Sequence, residues 1–197
     1  MAPLSRPAER ALLIALMLAM TATRFHHAGD WLQLPDASMA VFFLGGLLLR
    51  RLHGFAVLLA LAVVIDWAAV RLAGVSDFCI TVAYAALPLA YGVLWAVGRA
   101  LQTRLRASAG SLLGAWLVGS AAAALSFLIS NGAFYWWGGR YPDPYWAQYL
   151  QRAWQWGPLF VRTTSAYLAV ALVVGGCVVR WPALRRQARV ATPLELS

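Results

Sequence analysis

The sequence predicts an all-α integral membrane protein, on three observations. Of its 197 residues, 62% are hydrophobic and only 12% charged, with a mean hydropathy of +0.68. The apolar residues gather into six stretches of helical length, separated by polar or basic connections. The arginines are distributed unevenly between the two ends of those stretches, as membrane topology requires. The chain reads as one domain, 1-197, with spans near 9-23, 37-53, 54-73, 77-98, 109-130 and 157-179.

Composition also excludes whole classes of function. All sixteen basic residues are arginine, so the chain has no lysine for a phosphate-binding loop or a Schiff base. A glycine-rich nucleotide loop of the usual pattern is absent too, and no nucleotide site is expected; energy from ATP has to come through a partner. The net charge of +9 would suit nucleic acid, but the arginines punctuate apolar spans instead of forming one soluble basic surface, so no nucleic-acid partner is expected. Cys79 and Cys177 fall at opposite ends of their spans, about 30 Å apart across the hydrocarbon core. That distance rules out a disulfide between them.

In the first span, after Arg6 and Arg10, Ala11, Ala15 and Ala19 recur at every fourth residue. They make a flat stripe on which another helix packs closely, either inside the bundle or from a second protein. Ala19-Met20-Thr21-Ala22 also offers the small residues of a signal-peptide cleavage site, the alternative reading of this segment. The connection that follows carries Arg24, His26 and His27. Adjacent histidines point in different directions and lack the i,i+4 spacing of a helical metal site; they read either as interfacial loop residues or as a metal ligand or substrate contact. Asp36 caps the second span, whose apolar part, 37-49, rises about 20 Å against a hydrocarbon core of about 30 Å. Such a short helix is expected to end below a recess on the outer side.

The third span, 54-73, contains Asp66. An ionisable group at membrane depth is expected to face the bundle interior and to have a partner, and counting depth from the outer ends selects Arg162. The pair reads either as a structural ion pair or as a ligand contact. In the fourth span Ser76-Asp77 has the form of a helix N-cap. Cys79 then falls in the first turn, where free N–H groups and the helix dipole favour the thiolate, while the Asp77 carboxylate opposes it. The alternative is a cysteine acting as a small hydrophobe. Ala83, Ala86 and Ala90 leave room on the Cys79 face; Tyr84, Pro88 and Tyr91 line another.

The fifth span has the small-xxx-small pairs Gly110/Gly114 and Ala115/Gly119, typical of tight helix packing. The segment 131-156 reads as the longest connection, with ten aromatics, Tyr135 among them. It is either an interfacial aromatic belt or a lid over a large, partly apolar ligand, with Arg140 available for an anionic group such as phosphate. Arg162, Thr163, Thr164 and Ser165 near the outer end of the last span suggest a polar-lined cavity. Eleven arginines, at Arg6, Arg10, Arg50, Arg51, Arg99, Arg104, Arg106, Arg180, Arg185, Arg186 and Arg189, fall on one side. The positive-inside rule therefore gives six transmembrane helices with N and C termini cytoplasmic. Cys79, the histidine pair, the aromatic loop and the ligand cavity then belong to the outer, periplasmic side.

With those residues in place, the chain resembles the BtuM-type cobalamin transporters, solitary substrate-binding S components of the energy-coupling-factor (ECF) class. The resemblance runs the whole length: six spans, the stripe Ala11/Ala15/Ala19, the segment Thr23-Arg24-Phe25-His26-His27 with Leu34-Pro35-Asp36-Ala37-Ser38, and Asp77-Phe78-Cys79. It implies uptake of vitamin B12 (cobalamin and other corrinoids) across the bacterial inner membrane, with Cys79 matching the cysteine that ligates the corrinoid cobalt. A soft sulfur ligand suits such a metal centre. The resemblance further implies reductive decyanation of cyanocobalamin at Cys79, and toppling of the loaded protein in the lipid bilayer. An ECF coupling module, a transmembrane subunit with ATPases, would dock on Ala11, Ala15 and Ala19, unless a solitary member works alone. Substrate contacts are expected at Arg24, His26, His27, Asp66, Tyr84, Tyr135, Arg140, Arg162 and Thr163. Two rivals stand beside this reading: a membrane thiol redox enzyme built on Cys79, which lacks a resolving cysteine on the same face, and a non-transporting structural membrane subunit.

Overall fold

The computed structural model of the chain describes residues 5–24 and 34–190, with the backbone alone for Cys79 and for 179–190. Among them lie six α-helices: α1 (Arg6–Arg24), α2 (Ser38–Leu48), α3 (His53–Leu72), α4 (Leu87–Leu101), α5 (Ala109–Trp137) and α6 (Trp146–Val190). Two short 3-10 segments, Asp77–Cys79 and Val82–Ala86, separate α3 from α4. Four helical segments are long and apolar enough to cross a membrane: His53–Leu72, Val82–Leu101, Ala109–Trp137 and Trp146–Val178.

The helix α2 explains the architecture. Its residues Ala40 to Leu47 are buried on every side, and it packs against each of the other five helices. A helix apolar all round belongs either in lipid or inside a packed core, and an 11-residue helix is too short to cross a bilayer; this one forms a central post. Its closest neighbour is α4. A Cβ at Gly46 would collide with the Trp95 carbonyl, and one at Gly98 with the Phe43 carbonyl, so both glycines set how near the two backbones come. Phe42 stacks on Tyr91 with ring centroids 4.2 Å apart, and Phe55 meets Trp95 edge-on at 5.5 Å.

The helices α5 and α6 form a long antiparallel pair along one flank. Gly176 lies against Leu112 at one end, Phe127 meets Phe160 at 5.2 Å midway, and Tyr135 meets Tyr149 at 5.6 Å at the other end. Of the small-residue pairs in α5, Ala115 and Gly119 are packed, the latter against Leu168 and Phe43. Gly110 and Gly114 face open space.

The structure differs from the sequence reading at two boundaries. The segment 131-156 is mostly helix: α5 runs on to Trp137 and α6 starts at Trp146, leaving a short connection around Tyr141-Pro142-Asp143-Pro144. The aromatics that suggested a loop instead hold the two helix ends together, as Trp136 meets Trp146 at 5.0 Å and Tyr149 at 6.4 Å. The fourth helix also begins later than expected. Ser76, not Asp77, caps the turn Asp77–Cys79, accepting the Phe78 N–H at 3.2 Å, and α4 itself starts only at Leu87. Cys79 therefore does not sit in the first turn of a long helix, and the dipole argument for its thiolate loses its basis.

At the opposite end of the bundle, Glu9 accepts the Arg50 N–H at 2.7 Å, and Gln102 donates to the Leu49 carbonyl at 3.1 Å. Arg6, Arg10, Arg50, Arg51 and Arg99 thus share one end, as their positions in the sequence suggested. Replacement of Gly98 by valine is expected to force α2 and α4 apart and to cost about 1–3 kcal/mol of stability, seen as a lower unfolding temperature in detergent. Gly92→Ala, at a helical glycine with open space around it, should leave that temperature unchanged or slightly raised.

Candidate functional site

The helix α1 ends on Arg24, where a cation is favoured by the negative end of the helix dipole. Its side chain is only 10% exposed and grips Asp66 of α3 with both prongs of the guanidinium: Nε donates to Oδ1 and Nη2 to Oδ2, each at 2.6 Å. The remaining Nη1 donates to the Tyr91 hydroxyl at 2.8 Å and to Ser38 Oγ at 2.9 Å, and lies 3.4 Å from Asp36 Oδ2. Tyr84 donates its hydroxyl proton to Asp66 Oδ2 at 2.7 Å. A bidentate arginine–carboxylate pair is the strongest geometry available to these groups, and this one joins α1, α2, α3, α4 and the segment Val82–Ala86.

Around this cluster the chain entering α2 is also fixed. Asp36 Oδ1 accepts the Ser38 N–H at 2.8 Å and the Ser38 hydroxyl at 2.6 Å, so it caps α2 from just outside the helix. Thr23 Oγ1 accepts the Ala37 N–H at 3.1 Å, and the Tyr167 hydroxyl of α6 donates to the Pro35 carbonyl at 2.8 Å.

Beside the cluster opens a cavity of about 390 Å³. Arg24, Asp66, Ala83, Tyr84 and Leu87 form one wall; Phe127, Ser130, Asn131 and Phe134 of α5 and Arg152, Trp156 and Phe160 of α6 form the other. Two donors in that second wall, Asn131 Nδ2 and Arg152 Nε, are buried without a hydrogen-bond partner among the described residues. Each such orphan costs about 1–3 kcal/mol relative to a satisfied group. The Arg152 guanidinium is held 4.9 Å above the Tyr141 ring. Phe78 also lines the cavity, so the turn that carries Cys79 borders it. Arg140 anchors this turn: its Nε donates to the Phe78 carbonyl at 3.2 Å and its guanidinium lies 4.8 Å over the Phe78 ring.

The structure thus brings together Arg24, Asp66 and Tyr84 at the cavity and places Arg140 beside it, on the turn Asp77–Cys79. It does not pair Asp66 with Arg162. Arg162 is exposed, and α6 packs chiefly on α5 while α3 packs on α1, α2 and α4, so equal depth in the membrane did not mean proximity. Thr163 is half-buried and Thr164 buried, and neither lines the cavity; Ser165 serves α5, its Oγ 2.7 Å from Ser120 Oγ and its carbonyl accepting the Trp116 Nε1–H at 2.9 Å. Tyr135 is buried within the helix pair, where its hydroxyl lies 2.6 Å from Gln148 Oε1 and accepts the Tyr145 N–H at 2.9 Å. Ala11, Ala15 and Ala19 all lie on the exposed face of α1. His26 and His27 fall outside the described residues, as does the Cys79 side chain. Among the described residues, no three His, Cys, Asp or Glu side chains come together as a metal-ion site.

Sequence reading missed Asn131, Arg152, Trp156 and Phe160. The signal was present as helical spacing: Arg152, Trp156 and Phe160 stand at i, i+4 and i+8, while Phe127, Ser130, Asn131 and Phe134 follow the i, i+3, i+4, i+7 pattern of one helix face. Reading 131-156 as a loop removed the phase that aligns them. Comparison with known proteins assigns no family, since no family model matches the chain and no curated protein matches it significantly.

Removing one partner of a buried ion pair leaves the other charged and unsatisfied. Asp66→Leu is therefore expected to lower stability by about 3–5 kcal/mol, and Arg24→Met added to it should restore most of the loss. Thermal unfolding of the three variants in detergent checks this; a single variant as stable as the parent would remove the pair from its structural role.

Proposed function

We propose that the chain is a corrinoid-binding S component of the ECF type, which takes up vitamin B12 across the bacterial inner membrane. The observation that carries this reading is the aromatic-walled cavity with two buried, unpartnered donors, bordered by the turn that bears Cys79. A corrin ring is large, flat and fringed with carboxamides. Its apolar edge suits the aromatic wall, and its amide carbonyls are the acceptors that Asn131 and Arg152 lack. A cavity of about 390 Å³ takes only part of such a ligand, so the rest lies over the open mouth, toward Phe78 and Arg140.

On this reading Cys79 supplies a soft sulfur ligand to the cobalt of the cargo: its thiolate takes the axial position and cyanide leaves as the free ion, and the reductive part of a decyanation draws its electrons from an external low-molecular-weight thiol. Arg140 spends only its Nε on Phe78, so its terminal amino groups are free to meet the phosphate of the cobalamin nucleotide loop. The arginine bias, read as six spans with both termini cytoplasmic, supports an outward-facing cavity. The exposed stripe Ala11, Ala15 and Ala19 is the surface for a coupling module, where one is used. A thiol redox enzyme is the weaker alternative, because Cys177, the second thiol, lies near Leu112 at the far end of α5 and α6.

Titration of the purified protein with cyanocobalamin and with cobinamide, followed by visible absorption, tests the proposal. Cys79→Ala should weaken binding by at least about tenfold, or 1.4 kcal/mol, and should alter the spectrum of the bound corrinoid. Arg152→Gln should weaken both ligands by roughly ten- to a hundredfold, the range for a hydrogen bond to a charged group. Arg140→Ala should weaken cobalamin more than cobinamide. An unchanged spectrum in Cys79→Ala would take the sulfur off the cobalt, and equal losses at Arg140 would end its phosphate role.

A further inference from the structure

The arginine-rich end of the bundle carries a second, separate pocket. It has a volume of about 180 Å³ and lies where the start of α1 meets the turn between α2 and α3. Arg6, Arg10, Arg51 and His53 line it, together with Glu9, Leu13 and Leu49. Among the described residues none of the three guanidiniums has an ion-pair partner. The one carboxylate present, Glu9, is already engaged, accepting the Arg50 N–H at 2.7 Å. That bond ties α1 to the end of α2 and so fixes the spacing between Arg6 and Arg10 on one side and Arg51 on the other. Three arginines against one carboxylate leave the pocket strongly positive, and His53 adds ring N–H capacity.

An anion with several oxygens satisfies such a set of forked donors, and phosphate matches guanidinium geometry best. The position narrows the source. The pocket lies at the start of α3, a helix long and apolar enough to cross a membrane, and the apolar side chains Ile14 and Val57, one helical turn on from Arg10 and His53, are exposed. A phosphodiester seated there has its acyl chains running along α1 and α3. Basic pockets between membrane helices take anionic head groups in this way.

We propose that this pocket binds the phosphate of an anionic phospholipid head group and fastens the start of α1 to the α2–α3 turn in the membrane. It depends on the membrane character of the helices and not on the corrinoid reading.

Native mass spectrometry of the full-length protein in detergent, titrated with phosphatidylglycerol, phosphatidylcholine and, separately, glycerol 3-phosphate, is the test. Phosphatidylglycerol should be retained over phosphatidylcholine, and an Arg10→Gln/Arg51→Gln double variant should lose roughly tenfold or more in occupancy. An Arg104→Gln/Arg106→Gln variant, which removes the same charge elsewhere at that end, should retain the lipid. Glycerol 3-phosphate binding as tightly as the lipid would support the phosphate chemistry and assign the site to a soluble anion. Equal lipid loss in both double variants, or no preference for phosphatidylglycerol, would reduce the effect to diffuse charge attraction and overturn the proposal.

Discussion

The fold turns on the fork between Arg24 and Asp66. Two charges at this depth are tolerated only when each is nearly saturated with hydrogen bonds, and here the saturation is shared among five elements. Asp66 takes both prongs of Arg24 and the hydroxyl of Tyr84; Arg24 spends its last amino group on Ser38, Tyr91 and Asp36. A network of this kind constrains geometry more than it adds stability. It fixes the end of α1 over the start of α2, and with it the position of the wall on which Tyr84, Ala83 and Leu87 stand.

The opposite wall depends on a different economy. The helices α5 and α6 run past the rest of the bundle and close on each other through aromatic contacts and the hydroxyl of Tyr135. The cavity opens where this pair faces the Arg24 cluster. Arg152 is steered by the Tyr141 ring and Arg140 by Phe78, so the connection between the two helices acts on both the inner wall and the rim. In the reading proposed here, the ligand replaces the water that the unpartnered Asn131 and Arg152 donors would otherwise need.

Much of this was legible in the sequence. Apolar run length gave the helical class and six helices, of which the structure has four segments long and apolar enough to cross a membrane, and the depth of Asp66 correctly required a buried partner. The partner itself was not legible, because depth counts one coordinate and packing order needs two. Arg24 looked like a connection residue at the end of the first run, yet it is the last residue of α1. The aromatic density of 131-156 was read as a loop because tryptophan and tyrosine also mark interfaces, whereas the i, i+4 spacing of Arg152, Trp156 and Phe160 would have argued for helix. At Cys79 the error was of another kind: Ser76 does cap a turn, but a 3-10 turn that ends at once. The cap residues cannot say how far the structure they start will run.

Among the described residues the two ends of the molecule differ in chemistry, with an aromatic-walled cavity at one and arginines without ion-pair partners at the other. In the proposed reading, the first end captures the solute and the second is attached to the membrane. The most direct measurement is the cobalt and visible-absorption content of protein purified from cells supplied with cyanocobalamin. The account predicts a red chromophore with close to one cobalt per chain, lost when Asn131 and Arg152 are both replaced by leucine; a colourless, cobalt-free protein that also fails to bind corrinoids in vitro would contradict it.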